Sequence, residues 1–110
     1  MRSVSLKRGE IWWAMLPAPA GKRPVIIISR DIACRVRNAV TVAEITRTIR
    51  NIPVEVKLNQ NDGMSAEGVI NVDTIFTLPK TLLEKHICTI TKEKMEMVEK
   101  AIKFALNLKL

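Results

Sequence analysis

The sequence predicts a mainly β protein of the α+β class: an SH3-like, partly open β-barrel with a C-terminal helix packed on it. Two observations predict this architecture. Short β-rich segments follow one another between turn residues along most of the chain, and the last segment repeats its apolar residues at helical spacing. Strands followed by a helix are typical of a sheet whose apolar face is covered by that helix.

The length and composition indicate one domain spanning residues 1–110. With 47% hydrophobic and 26% charged residues, the 110-residue chain has enough apolar surface to offset its conformational entropy and form a compact core. The chain contains no repeat, low-complexity tract or polar linker at which a domain boundary would fall.

The predicted strands are rich in β-branched residues or alternate apolar with polar residues. In chain order they span residues 10–16, 24–29, 39–46, 54–58, 68–72, 73–77 and 86–90. The continuous apolar run at 25–28 predicts a central strand that is covered on both faces. Prolines 17 and 19 predict a hairpin loop after the first strand, residues 61–63 a turn, and residues 81–85 a single helical turn.

The C-terminal helix is predicted to begin after Thr91, whose hydroxyl can cap it. Two apolar stripes follow at helical spacing. The first consists of Met95, Val98, Ile102, Ala105 and Leu106, and the second of Met97, Ala101, Phe104 and Leu108. Two interpretations remain open: one stripe packs on the barrel while the other meets a partner chain, or a deeply seated helix buries both.

A net charge of +7, from 18 Lys and Arg against 11 Asp and Glu, favours a polyanionic partner such as nucleic acid. Improved solubility is the other interpretation of this charge. Cys34 and Cys88 lie far apart in the sequence and provide neither a disulfide framework nor a zinc site. No secretory leader and no apolar run of about 18 residues occurs, so we expect a cytoplasmic protein without a membrane segment.

Few residues offer catalytic chemistry. His86 is the single histidine, so one chain cannot supply one histidine as a base and another as an acid, and no carboxylates show metal-ligand spacing. Motifs of serine hydrolases and phosphate-binding loops are absent. There remain Arg23-Pro24, where a loop enters the most buried strand, and Thr46, at the end of a neighbouring strand. We expect these two side chains to face one cleft.

An ordered set of motifs resembles the MazF (PemK-like) toxin family along nearly the whole chain. The set begins with RGEIW at residues 8–12 and GKRPVII at 21–27. It continues with VAEIT at 42–46, PVEV at 53–56, GM at 63–64, VINVDTI at 69–75 and TLPK at 77–80. The loop at residues 16–23 is shorter than the usual one and resembles the short-loop form of the family.

The resemblance implies the toxin of a type II toxin-antitoxin system, a sequence-specific endoribonuclease that cleaves single-stranded RNA without a metal or cofactor. In the family the 2′-hydroxyl attacks phosphorus and leaves a 2′,3′-cyclic phosphate and a 5′-hydroxyl. The arginine of its R-P pair and the threonine of its I-T pair are catalytic, which implies Arg23 and Thr46 here. An arginine fork suits the charge that develops on the phosphate. The other interpretation is structural, with Arg23 paired to Glu10 or Glu44.

Further RNA contacts are expected from charge and from the resemblance. Lys22 and Arg47 are candidates for phosphate contacts. Asn71, Asp73 and Thr77 lie in the stretch that resembles the base-contacting region of the family. The competing interpretations are a solvated surface for the cations and turn chemistry around Asp73.

Trp12 and Trp13 are consecutive in a predicted strand, so their rings point to opposite faces. We expect one ring in the core. The other either stacks on an unpaired base or lies in a dimer interface.

Two other functions remain open at this stage. A toxin of the CcdB type has a similar fold but holds DNA gyrase without catalysis, and its helix ends with a tryptophan that this sequence lacks. A basic adaptor that binds nucleic acid without cutting it is the third hypothesis. The partners implied by the resemblance are single-stranded RNA, a second copy of the chain and the tail of a MazE-like antitoxin.

Overall fold

The computed structural model describes residues 5–109, in which six strands form one antiparallel sheet. The strands are β1 Glu10–Leu16, β2 Gly21–Ile27, β3 Ala39–Thr46, β4 Glu55–Leu58, β5 Gly68–Pro79 and β6 Leu83–Thr89. The helices are α1 Asp31–Val36 and α2 Lys92–Ala105, with short 3₁₀ turns at Gln60–Asp62 and Lys80–Leu82. Residues 1–4 and 110 of the predicted domain lie outside the described part of the chain.

The sheet order is β4-β5-β3-β2-β1-β6, so β4 and β6 form its two edges and the barrel is partly open. The predicted SH3-like architecture with a C-terminal helix is confirmed. No helix among residues 5–109 is long and apolar enough to cross a membrane.

Apolar side chains fill both faces of this sheet. Ile26 belongs to a buried cluster that α2 covers, whereas Val25 and Ile27 belong to a second cluster that includes Cys34 of α1. Successive strand residues point to opposite faces, so one apolar run supplies both cores. The prediction of a central strand buried on both faces is confirmed.

Some strands begin or end at other residues than predicted. The differences occur where a strand's limits are set by its pairing with a segment far away in the sequence. β2 begins at Gly21 rather than at residue 24, because its first residues pair with β1. The helical turn expected at residues 81–85 is wrong in position, since it lies at Lys80–Leu82. Leu83 is buried and pairs with Ala14, so β6 begins there.

The segments predicted as separate strands at 68–72 and 73–77 form one long strand, β5. Its pairing with β3 is interrupted by a bulge: Glu44 lies opposite Asn71, but the neighbouring Ala43 lies opposite Ile75. The extra residues of β5 bend the strand at this point. The bend lets the first half of β5 pair with β4 as well as with β3.

Helix α1 was not predicted. It is only six residues long and its apolar pattern covers less than two turns, which is too short for a periodic signal. Tertiary contacts stabilise it: Ala33 and Cys34 are buried, and the Asp31 carboxylate accepts a hydrogen bond from the Arg8 N–H at 2.9 Å.

Helix α2 begins as predicted, since the Thr91 hydroxyl accepts a hydrogen bond from the Lys94 N–H at 3.1 Å. Most of its first stripe packs on the cluster around Ile26, although Leu106 remains exposed. Of the second stripe, the small Ala101 is buried. The large residues of that stripe stay exposed, with exposed fractions of 50% for Met97, 61% for Phe104 and 47% for Leu108. The interpretation of a helix that buries both stripes is therefore wrong.

Replacing Ile26 by alanine should lower the free energy of unfolding by about 2–5 kcal/mol, because the side chain is fully buried and its removal leaves a cavity. Urea denaturation followed by circular dichroism measures the loss. The matched control is Ile32→Ala on α1, where the same side chain is 47% exposed and the change should be much smaller. Equal losses in the two variants would contradict the burial of Ile26.

Candidate active site

The pairing of β2 with β3 stops where the R-P motif begins. Ile28 donates its N–H to the Thr41 carbonyl at 3.0 Å. Because every second residue of a strand faces the same neighbour, the N–H and C=O groups of Ile26 and residue 24 also point toward β3. Pro24 has no N–H to donate. The last cross-strand pair of this ladder is accordingly Val25 with Glu44.

Extending that register by two residues sets Arg23 opposite Thr46. Residues directly opposite each other in an antiparallel pair lie on the same face. Both residues line a cleft of about 630 Å³ at the ends of the two strands. The structure thus brings together the two side chains that the sequence nominates for catalysis.

The hydrogen bonds of both side chains leave groups available for a ligand. The Arg23 Nε–H donates to the Ala20 carbonyl at 3.0 Å, which anchors the guanidinium. The N–H groups of its two terminal nitrogens are left to donate to a ligand. The Thr46 hydroxyl oxygen accepts from the Thr48 N–H at 3.2 Å, so its own proton can be donated elsewhere. Within residues 5–109, Arg23 forms no ion pair with Glu10 or Glu44. The ion pair that the structural interpretation of Arg23 required is therefore not present there.

Positive charge surrounds this pair. Lys22 and Arg47, the predicted phosphate contacts, are exposed and line the same cleft, and Lys85 of β6 joins them. The Lys22 ammonium lies 5.4 Å from the centre of the Trp13 ring. Glu67 is the one carboxylate among the described residues that line the cleft. The cleft suits a ligand with several negative charges.

The opposite wall of the cleft is formed by residues 63–68, which run from the end of the 3₁₀ turn to the first residue of β5. Two glycines permit its close packing. Gly63 has a φ of +101°, and a Cβ there would lie 2.6 Å from the Cβ of Cys88. A Cβ on Gly68 would lie 2.7 Å from the carbonyl oxygen of Thr46. The wall therefore lies directly against the end of β3.

The tryptophans lie on opposite faces of β1, and both are half-buried. Trp12 is the ring on the core side, although it is not fully buried. Trp12 packs against the second apolar cluster and donates its Nε1–H to Glu10 at 2.9 Å. Trp13 lines the cleft, where its ring is accessible to a ligand. His86 is exposed, and its Nε2 lies 3.0 Å from the Thr89 hydroxyl.

Three predicted RNA-contacting residues lie outside this cleft, along β5. Asn71 lies opposite Glu44, and its side-chain oxygen accepts from the Asp73 N–H at 2.9 Å. The Thr77 and Thr41 hydroxyls are 3.1 Å apart. The turn chemistry expected at Asp73 is present, and a role of Asn71, Asp73 and Thr77 in RNA contacts stays a prediction.

Sequence reasoning missed the far wall and the contribution of Lys85. The turn at residues 61–63 was predicted and is confirmed. Nothing in the local sequence, however, indicates that the residues after it face Arg23. That placement depends on the close approach of Gly68 to Thr46, which only the folded chain defines.

A family model described as a PemK-like, MazF-like toxin of type II toxin-antitoxin systems matches residues 7–106. The chain belongs to the MazF-like toxin family. The probable endoribonuclease MazF2 of Mycobacterium tuberculosis is 33% identical over 91 residues, which cover 82% of this MazF-like chain and 87% of that protein. Endoribonuclease EndoA of Bacillus subtilis is 31% identical over 111 residues, covering 94% and 96% of the two chains.

Solved structures agree with this membership. An endoribonuclease from mycobacterial species, in complex with its cognate antitoxin, superposes on the MazF-like chain with a TM-score of 0.84 at 27% identity. The match covers 96% of this chain and 98% of that one. The family and the fold expected from the sequence motifs are both confirmed.

Burial, with a smaller contribution from the Asp62 carboxylate, raises the pKa of the Cys88 thiol behind the far wall. A raised pKa lowers the thiolate fraction near neutral pH. Iodoacetamide should therefore alkylate Cys88 more slowly at pH 7.5 in the folded protein than in urea, and the folded-state rate should rise with pH. Mass spectrometry of a Cys34→Ser variant measures both rates. Equal rates in the folded and unfolded chains would contradict the prediction.

Proposed function

We propose that this chain, as one domain spanning residues 1–110, is the toxin of a type II toxin-antitoxin system and cleaves single-stranded RNA as a sequence-specific endoribonuclease. Family membership and the activity named for its relatives support the assignment. The observation on which it depends most is the meeting of Arg23 and Thr46 in one cationic cleft. Because the relatives are named as endoribonucleases, RNA cleavage is favoured over gyrase binding and over an adaptor that binds nucleic acid without cutting it.

In the proposed mechanism Arg23 and Thr46 hold the scissile phosphate. The 2′-oxygen forms a bond to phosphorus while the bond from phosphorus to the 5′-oxygen breaks, giving a 2′,3′-cyclic phosphate and a 5′-hydroxyl. The 2′-hydroxyl loses its proton and the departing 5′-oxygen gains one. The terminal nitrogens of Arg23 form a fork for two phosphate oxygens, and the Thr46 hydroxyl donates to one as negative charge builds up.

Arginine keeps its positive charge near neutral pH. We therefore assign Arg23 to charge stabilisation rather than to proton removal. Because the guanidinium supplies the positive charge at the phosphate, the proposed reaction needs no metal ion or cofactor. Lys22 and Arg47 supply further phosphate contacts beside it, and Trp13 offers a stacking surface for a base.

Replacing Arg23 by alanine, or Thr46 by valine, should slow cleavage of a long RNA in EDTA by about 100- to 1,000-fold, because each change removes a donor that acts on the transition state. Arg23→Lys should restore only part of the activity, since lysine lacks the planar fork. Gel analysis gives the rates, and phosphorylation of untreated products by polynucleotide kinase checks for 5′-hydroxyl ends.

Two controls accompany these variants. Arg35→Ala removes an exposed arginine from α1, and Thr81→Ala removes an exposed hydroxyl from the turn before β6. Neither residue lines the cleft, and both variants should cleave at the wild-type rate. Intact RNA after incubation with wild-type protein would contradict the proposed function.

We further propose that the toxin acts in the cytoplasm and is neutralised by an antitoxin tail that covers the RNA-binding cleft. The solved mycobacterial relative in complex with its cognate antitoxin supports the partnership. A positively charged cleft also suits an acidic peptide segment, because the peptide would satisfy the same cations as the RNA backbone.

We propose that two copies associate through the exposed stripe of α2, because large apolar side chains of this kind are costly to leave in water. Phe104→Glu should shift the protein from dimer to monomer, since a carboxylate would be buried in the contact. Size-exclusion chromatography with light scattering measures the mass. Lys92→Glu, an exposed change at the start of the same helix, should leave the dimer intact, and a monomeric wild type would contradict the proposal.

A further inference from the structure

A second, smaller pocket adjoins the far wall of the cleft. Its volume is about 370 Å³ and it is lined by Asn59, Gln60, Asn61, Ala66 and Glu67. Ala66 and Glu67 line the cleft as well, so the two spaces share a border. We refer to this second space as the amide pocket.

The chemistry of the amide pocket differs from that of the cleft. Three amide side chains and one carboxylate line it, and no cation does. Such a lining does not favour a phosphate, but it offers hydrogen-bond donors and acceptors to a neutral polar group. Within residues 5–109 the side chains of Gln60, Asn61 and Glu67 make no hydrogen bond or ion pair, so their polar groups are available.

The backbone that presents the three amide side chains is held in place. The Asn59 side-chain oxygen accepts from the Asn61 N–H at 2.8 Å, and the Asp62 carboxylate accepts from the Asn59 N–H at 2.9 Å. From α2, the Lys94 ammonium donates to the Lys57 carbonyl at 2.9 Å and lies 3.6 Å from Asp62. A segment ordered in advance pays little entropy when it binds a ligand.

Glu67 is an unexpected residue at the border of a cleft that binds RNA, because its carboxylate repels the phosphate backbone. A carboxylate in that position is useful where it accepts hydrogen bonds from a base. The exocyclic amino groups of adenine, cytosine and guanine are donors, and an ionised carboxylate only accepts. Uracil has carbonyl oxygens where adenine and cytosine have their amino groups. Its one donor on that edge, N3–H, lies between two carbonyl oxygens, and these oxygens repel a carboxylate.

We propose that the amide pocket receives one unpaired RNA base next to the scissile phosphate and selects a base with an exocyclic amino group over uracil. Glu67 accepts from the amino group, and the amides of Gln60 and Asn61 complete the contacts on the base edge. The inference rests on the proposed endoribonuclease function and adds one element of its sequence specificity.

The test is to map the cut sites of wild-type protein on a long mixed-sequence RNA by sequencing the fragment ends. Wild type should exclude uracil at one fixed position close to the cut. Glu67→Gln keeps the size of the side chain but adds an N–H donor, and it should raise the uracil frequency at that position by about tenfold. Gln60→Ala should weaken selection at the same position, whereas the exposed Glu96→Gln on α2 should leave the map unchanged.

A binding measurement keeps the proposal testable if a pocket variant cleaves too slowly to map. In an Arg23→Ala background, fluorescence anisotropy compares two short RNAs that differ only by uracil at the selected position. The wild-type pocket should bind the uracil RNA about tenfold more weakly, and Glu67→Gln should remove most of this difference. Circular dichroism confirms that each variant is folded.

The outcomes separate the two proposals. Absence of RNA cleavage by wild type would overturn the endoribonuclease function and the subsite together. Cleavage in which wild type accepts uracil at every position near the cut would overturn the subsite alone. The subsite is also overturned if Glu67→Gln and Gln60→Ala leave both the map and the affinity difference unchanged.

Discussion

The candidate active site lies where the β2–β3 ladder ends, at Pro24, a residue with no N–H to donate to β3. Backbone groups of alternate β2 residues point toward β3, and residue 24 is the next that would donate in this ladder. The ladder of paired residues ends at Val25 and Glu44, and the continued register sets Arg23 opposite Thr46 just beyond that last pair. The cleft lies at this end of the β2–β3 ladder. Burial of the following apolar run holds the motif in register, so the opening is placed by the core itself.

The two sides of the cleft carry different chemical groups and therefore suit different parts of an RNA. On the other side, Lys22 and Arg23 of β2 and Lys85 of β6 are mounted on paired strands and Arg47 follows β3, an arrangement that suits a phosphate backbone. On the far side, three amides are mounted on a segment that hydrogen bonds and Lys94 of α2 hold in place, and the Glu67 carboxylate follows on the wall. Helix α2 thus supports the segment that carries the amides in addition to covering the apolar cluster around Ile26.

The local sequence was sufficient to predict those parts of the fold that depend on interactions between neighbouring residues. The β-branched run at 25–27 and the Thr91 cap both act within a few residues, and both appear where they were predicted. Predictions failed where distant contacts decide the outcome. The short helix α1 has too few residues to be stable alone, and β6 starts at Leu83 because Leu83 pairs with Ala14. The join of two predicted strands into β5 depends on partners in β3 and β4.

The sequence by itself determined the family, the pair of candidate catalytic side chains and the cationic character of their surroundings, because motifs and charge are properties of the chain. The tertiary structure alone decided that Arg23 and Thr46 share a cleft with Glu67, and that the large residues of the second α2 stripe stay exposed. The physical reason is that these placements depend on contacts between residues far apart in the sequence. Approaches such as that of Gly68 to Thr46 join segments far apart in sequence, and no local pattern records which segments will meet once both faces of the sheet are packed.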